Sequence, residues 1–124
     1  MPALLLCLAA VAIDGDSIRC ANLGQVRLLA IDSADYRSSR PCRQQFGDHV
    51  CSDDQARAAK ASLKSALKLG PVRIDPVTRD RYGRTVALVT AGGTDLSCWQ
   101  LRHGVARYIV RYDNGHRVAR LCLR

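Results

Sequence analysis

The chain has 124 residues, with 19 Lys and Arg against 11 Asp and Glu for a net charge of +8, and it is 48% apolar and 24% charged. That mix is the one expected of a soluble globular domain, and a chain of this size leaves no room for a second one. The basic excess favours polyanions, nucleic acid or acidic lipid, through counterion release and steering; it names a partner class, not a reaction.

In chain order, Leu4–Ile13 is an apolar run too short to span a bilayer, so no stable membrane insertion is expected. It resembles a signal-peptide core, with Ala10-Val11-Ala12 as a cleavage site. No Lys or Arg precedes it, however, and cleavage there would remove the strand that leads into Asp14-Gly15-Asp16. The run is read as a first β-strand. Ser17–Cys20 and Gln25–Ile31 follow as strands, with Gly15 and Gly24 marking the reversals. From Ser33 to Ser52 the chain is polar and aperiodic, a long loop that Cys42 and Cys51 can tie down. Ser52-x-x-Gln55 is a capping box and Gly70 a stop, which predicts a helix between them. Ala56, Ala59, Leu63, Ala66 and Leu67 form its buried stripe, and Arg57, Lys60, Lys64 and Lys68 a solvated basic one. Strands return at Pro71–Ile74 and Thr85–Thr90, then a short helix at Asp95–His103 and an extended Val105–Val110. The tail from Asn114 can start another helix. This order predicts a mainly-β α+β chain, a single domain over 1–124: a five-stranded, OB-fold-like antiparallel barrel with two to three helices.

Six cysteines stand at 7, 20, 42, 51, 98 and 122, with no C-x-x-C pair and no Cys–His cluster at zinc spacing. Up to three disulfides in an exported protein is the expectation; six reduced thiols in a cytosolic protein is the alternative. Sequence leaves the pairing open. Export implies a periplasmic or secreted protein whose signal is missing from this chain. Nothing demands more than a monomer.

Three clusters carry possible chemistry: Asp14-Gly15-Asp16-Ser17, then Arg27 through Asp35, then Asp80-Arg81-Tyr82-Gly83-Arg84. Singly, each has a plain explanation as a turn or an exposed strand residue. Together they suggest more. In an extended strand Arg27, Leu29 and Ile31 share one face, and Leu28, Ala30 and Asp32 the other. Asp16 and Asp32 lie beside strands that, as neighbours, would converge at a barrel mouth. Two carboxylates that close repel unless a cation lies between them. A hard divalent ion such as Ca²⁺ or Mg²⁺, held by oxygens, suits the place. Phosphodiester cleavage then needs cationic forks for the phosphate and a carboxylate to handle the water; Arg27, Arg84 and Asp35 are the candidates. His49, His103 and His116 lie outside the clusters and are read as surface or structural.

The runs V-A-I-D-G-D-S-I-R, V-R-L-L-A-I-D-S-A-D and D-R-Y-G-R-T-V-A-L-V, with Leu101-x-x-Gly104-x-Ala106 after them, resemble the staphylococcal-nuclease family from about Leu4 to Tyr112. The resemblance implies a Ca²⁺-dependent endonuclease on DNA and RNA, with water attacking in line. By position, it implies metal ligands at Asp16, Asp32 and the Ser33 carbonyl. It places phosphate contacts at Arg27 and Arg84, and the water-handling carboxylate at Asp35. Asp14, Arg81, Tyr82 and Tyr112 fall near the metal, phosphates or base. Two departures bear on rate: Asp35 is one methylene shorter than the family glutamate, and Ala34 replaces the usual proline. The competing expectations are a weak or inactive nucleic-acid-binding module of the same fold, and a basic structural domain whose acids only make turns.

Overall fold

The computed structural model of the protein describes residues 4–44 and 50–123; His49 lies outside them. The expected first strand is two short pieces, β1 (Leu5–Leu6) and β2 (Val11–Ala12), separated by a turn in which Ala9 takes a left-handed φ of 51°. β2 pairs antiparallel with β3 (Ser17–Cys20), which pairs with β4 (Gly24–Leu28). β1 pairs antiparallel with β6 (Val72–Arg79), which pairs with β7 (Thr85–Ala91). The sheet order is β1-β6-β7-β4-β3-β2, and off that path the short β8 (Thr94–Asp95) pairs antiparallel with β7. The two edges of that path are consecutive pieces of one segment, so the sheet must curl on itself, and five runs enclose the core. The Cys7–Cys20 disulfide and the Cys7 N–H bond to the Val72 carbonyl (2.8 Å) fasten that segment from both sides.

The mainly-β α+β class therefore stands, with one junction that differs from the antiparallel expectation. β4 and β7 run parallel, Val26 opposite Thr85 and Leu28 opposite Ala87. A parallel pair needs a long crossover, and everything from residue 29 to 84 supplies it. Four α-helices occur among the described residues, more than the two to three expected. α1 (Arg40–Gln44) lies in the long loop and α4 (Arg117–Cys122) in the tail.

Helix α2 (Asp53–Ala66) starts where its sequence signals: the Ser52 hydroxyl accepts from the Gln55 N–H (3.3 Å), and Ala56, Ala59, Leu63 and Ala66 are buried; it ends at a Leu67 C-cap, short of the expected stop at Gly70. Leu67 is half-buried at the C-cap, and Arg57, Lys60, Lys64 and Lys68 face solvent. Leu63 and Ala66 join Ile18, Val26, Leu28, Ile74, Val89 and Leu96 in the main core; Leu96 belongs to α3 (Leu96–Arg102). Leu4, Leu5, Leu6, Leu8 and Val11 remain exposed, and it is Cys7 and Ala12 that enter the core from the first apolar run. No described helix is long and apolar enough to cross a membrane. All six cysteines are paired: Cys7–Cys20, Cys42–Cys51 and Cys98–Cys122.

The expected strand Gln25–Ile31 is corrected. It ends at Leu28, and Ala30 turns the chain with a φ of 63°. A new strand β5 (Ile31–Ser33) then pairs antiparallel with β9 (Ala106–Tyr108), apart from the main sheet. The break fits the burial: Leu28, Leu29, Ala30 and Ile31 are all inside, which straight alternation cannot achieve. It also undoes the assignment of Arg27 and Asp32 to opposite faces.

Candidate active site

The loop between β2 and β3, residues 13–16, is a tight reversal. The Asp14 carboxylate accepts from the Asp16 N–H (3.0 Å) and the Ser17 hydroxyl (2.8 Å), so Asp14 holds the turn together. Gly15 is required by space: a Cβ there would overlap Ala59 and come within 2.6 Å of the Ser33 hydroxyl. Buried Gln100, from α3, donates to the Gly15 carbonyl (2.7 Å) and the Ala59 carbonyl (2.9 Å). One amide group thus ties the acidic loop to helix α2. Sequence reading missed Gln100, because a single glutamine in a short helix carries no signal of its contacts.

Asp16 follows that turn and is 5% exposed. One carboxylate oxygen accepts from the Ser33 N–H at 3.1 Å, and the other meets Arg27 at 3.1 Å. The second prong of Arg27 lies 3.5 Å from Asp32 and donates to the Ile31 carbonyl at 3.2 Å. The remaining Asp32 oxygen is held by Arg107 at 3.1 Å. Asp16, Arg27, Asp32 and Ser33 are thus brought together, and Arg107 joins them. Burial pushes the Asp16 carboxyl up to about 8, against the opposing pull of Arg27. Arg107 also escaped sequence reading; only the β5–β9 register, which sets it opposite Asp32, reveals it. Asp32 and Arg107 line a cleft of about 310 Å³ together with Gln55 of α2.

The remaining site residues are held separately. Arg84 stands one residue before β7, in which Thr85 pairs with Val26 and Val86 with Arg27. Its Nε contacts Asp80 at 2.6 Å, and its N–H donates to the other Asp80 oxygen at 3.0 Å. Burial raises the Asp80 carboxyl, but the hydrogen bonds from Arg84 and Tyr82 outweigh it and hold the group below its usual value. Tyr82 is exposed and lies under both Arg81 (5.1 Å) and Arg84 (5.6 Å), while Tyr112 is exposed under Arg111 (4.8 Å). Asp35 is half-buried and fixed through its backbone: its N–H donates to the Val50 carbonyl (2.8 Å) and its carbonyl accepts from Ser52 (3.0 Å). His103 stacks on Trp99 at 4.1 Å and its Nδ1 contacts the Trp99 carbonyl (2.8 Å), a structural place; His116 is exposed in the final turn.

Among the described residues no group of three or more His, Cys, Asp or Glu gathers in the manner of a metal centre. Two carboxylates nonetheless flank one guanidinium, and all the donors on offer are oxygens. Such a set fits a hard cation such as Ca²⁺ or Mg²⁺, and offers nothing to a soft one.

The curled sheet of five runs and the separate β5–β9 pair thus bring two acids, Asp16 and Asp32, onto one guanidinium, that of Arg27. The staphylococcal nuclease homologue model matches residues 25–122, and the chain belongs to that family. It is 28% identical over 105 residues to the SPbeta prophage-derived endonuclease YokF of Bacillus subtilis (strain 168), an alignment covering 82% of this chain and 33% of that protein. It is likewise 28% identical over 105 residues to endonuclease YncB of the same organism, covering 82% of this chain and 47% of that one. The chain thus spans less than half the length of either relative.

Proposed function

We propose that this chain, read as one domain over 1–124, is a Ca²⁺-dependent endonuclease that hydrolyses phosphodiester bonds of DNA or RNA by in-line attack of water. The observation that carries this reading is the sharing of Arg27 by Asp16 and Asp32, two carboxylates at one mouth of a net-basic protein. A surface meant only to bind a polyanion gains nothing from buried acids facing it.

Asp16, Asp32 and the Ser33 carbonyl would hold the ion. Bound there, it would neutralise the two acids and draw electron density from a phosphate oxygen. Arg27 is planar and two-pronged, and its donors, now spent on the carboxylates, match two phosphate oxygens equally well. Arg84, in the turn just before β7, would offset charge building on the equatorial oxygens. Asp35 would accept the proton of the attacking water or orient it. Exposed Tyr82 and Tyr112, each beside an arginine, offer flat faces to neighbouring bases, with Arg81 and Asp14 in support. The three disulfides support work in an oxidising place such as the periplasm or the exterior, and the chain is read as a monomer.

Digestion of plasmid and single-stranded DNA with and without Ca²⁺ tests the reading. Cleavage should vanish with chelator and with Arg84→Ala, and persist or quicken in Asp35→Glu. Cleavage that survives chelation sinks the metal role. Binding without cleavage by any version leaves a non-catalytic module.

A further inference from the structure

We propose that the Cys42–Cys51 disulfide is a positioning device for Asp35, fixing the backbone from which its carboxylate reaches the attacking water. This rests on the nuclease reading above. The three disulfides are not alike. Cys7 and Cys20 lie in the main core, and Cys98 is buried while its partner Cys122 packs on the second core cluster. Cys42 sits instead in α1, a five-residue helix with no buried residue, and Cys51 is only half-buried. A bridge to such a helix adds nothing to the core.

What it does hold is the strip beside Asp35. Asp35 and Cys51 form a parallel bridge, in which the Asp35 N–H donates to Val50 and the Asp35 carbonyl accepts from Ser52. Ser52 is the N-cap of α2, and the next acid, Asp53, accepts from the Arg37 N–H at 2.8 Å. Upstream, Ile31–Ser33 is paired with β9 and the Ser33 N–H is bonded to Asp16. Asp35 is therefore held on one side by the acid cluster and on the other by the segment that the disulfide closes. The chemistry explains the need. An aspartate has one rotatable bond fewer than a glutamate, so its carboxylate cannot search for the water, and its placement falls on the backbone. With Ala34 preceding it, no proline ring fixes that backbone locally.

The test uses the full chain with Cys42→Ser/Cys51→Ser, alone and combined with Asp35→Asn, assayed on single-stranded DNA in Ca²⁺. Amide hydrogen exchange is measured at Asp35 and Ser52. The expected result is a fall in kcat on the order of tenfold to a hundredfold, with KM unchanged and faster exchange at both amides. In the Asp35→Asn background, loss of the disulfide should lower kcat no further, because no carboxylate remains to be misplaced. An equal fold-loss in both backgrounds, an unchanged kcat, or unchanged exchange overturns the proposal. Cys42→Ala alone, which keeps Cys51 in the bridge, replaces the double variant should that variant not fold. A wild-type chain that binds DNA without cutting it overturns the nuclease reading; the exchange rates then decide separately whether the disulfide holds the bridge.

Discussion

The Arg27 cluster and the Asp80–Arg84 turn use the same two residue types and teach opposite lessons. Arg27 meets acids from two different segments, Asp16 and Asp32, and its side chain is 22% exposed against 7% and 18% for theirs. Arg84 meets an acid four residues away, across a turn closed by the Gly83 N–H to the Asp80 carbonyl (3.0 Å). The first is built by the fold and is part of its stability. The second is built locally and can be dismantled without touching the core. Both arginines pull their acids down, but burial outweighs Arg27 and drives Asp16 up, whereas the hydrogen bonds from Arg84 and Tyr82 outweigh burial and keep Asp80 down.

The largest effect should come from breaking the first region. Arg27→Ala leaves a buried acid without its cation and should cost about 3–5 kcal/mol in urea unfolding, with cleavage lost as well. The second region should separate activity from stability. Arg84→Ala should lower kcat by about a hundredfold to a thousandfold while shifting unfolding by no more than about 1 kcal/mol. A large stability loss there would erase the contrast.

A third variant sharpens the reason for it. Gln100→Ala removes the donor shared by the Gly15 and Ala59 carbonyls and should destabilise by roughly 2 kcal/mol, loosening the Asp16 loop from α2. Ca²⁺ binding followed by calorimetry should weaken in parallel.

The smallest effect concerns an acid outside both regions. Asp113 accepts from the Tyr108 hydroxyl (2.6 Å) and from the Val118 and Ala119 N–H groups (both 3.0 Å) at the start of α4. Burial raises its carboxyl, but these bonds prevail and hold it below the usual 3.8. The stability it contributes is present above that value and is lost as pH falls through the lower folded one. Asp113→Asn should cost about 1 kcal/mol at neutral pH and flatten the acid limb of the stability curve. The bond to Asp113 pushes the Tyr108 phenol up to about 12. An ultraviolet titration of the variant should return it toward 10, and an unmoved phenol would contradict the contact.

Much of this was legible before any coordinates. Ser17–Cys20 has the bounds its pattern predicts, and the Ser52 N-cap and the alanine–leucine stripe of α2 follow from sequence too, because each rests on contacts within a few residues. The same holds for the turn around Asp14-Gly15 and for the mainly-β class. The other half of the capping box does not form, since the Ser52 N–H donates to the Asp35 carbonyl. The break at Ala30 was not legible. An alanine in the left-handed region has no local signature, and the apolar run across it looks like continuous strand. The parallel β4–β7 junction was hidden for a related reason: strand direction depends on how the whole crossover returns.

Sequence by itself determined the inventory: a basic chain, an ordered series of acids and arginines, six cysteines, and the periodicities that make its strands and main helix. Those properties are local and survive in any conformation. Which of those groups meet was decided only by the tertiary structure. Asp32 comes within reach of Arg27 because the chain turns over at Ala30, and Arg107 faces Asp32 because β9 lies beside β5. Contacts between residues 75 positions apart follow from packing, and packing is a property of the whole chain.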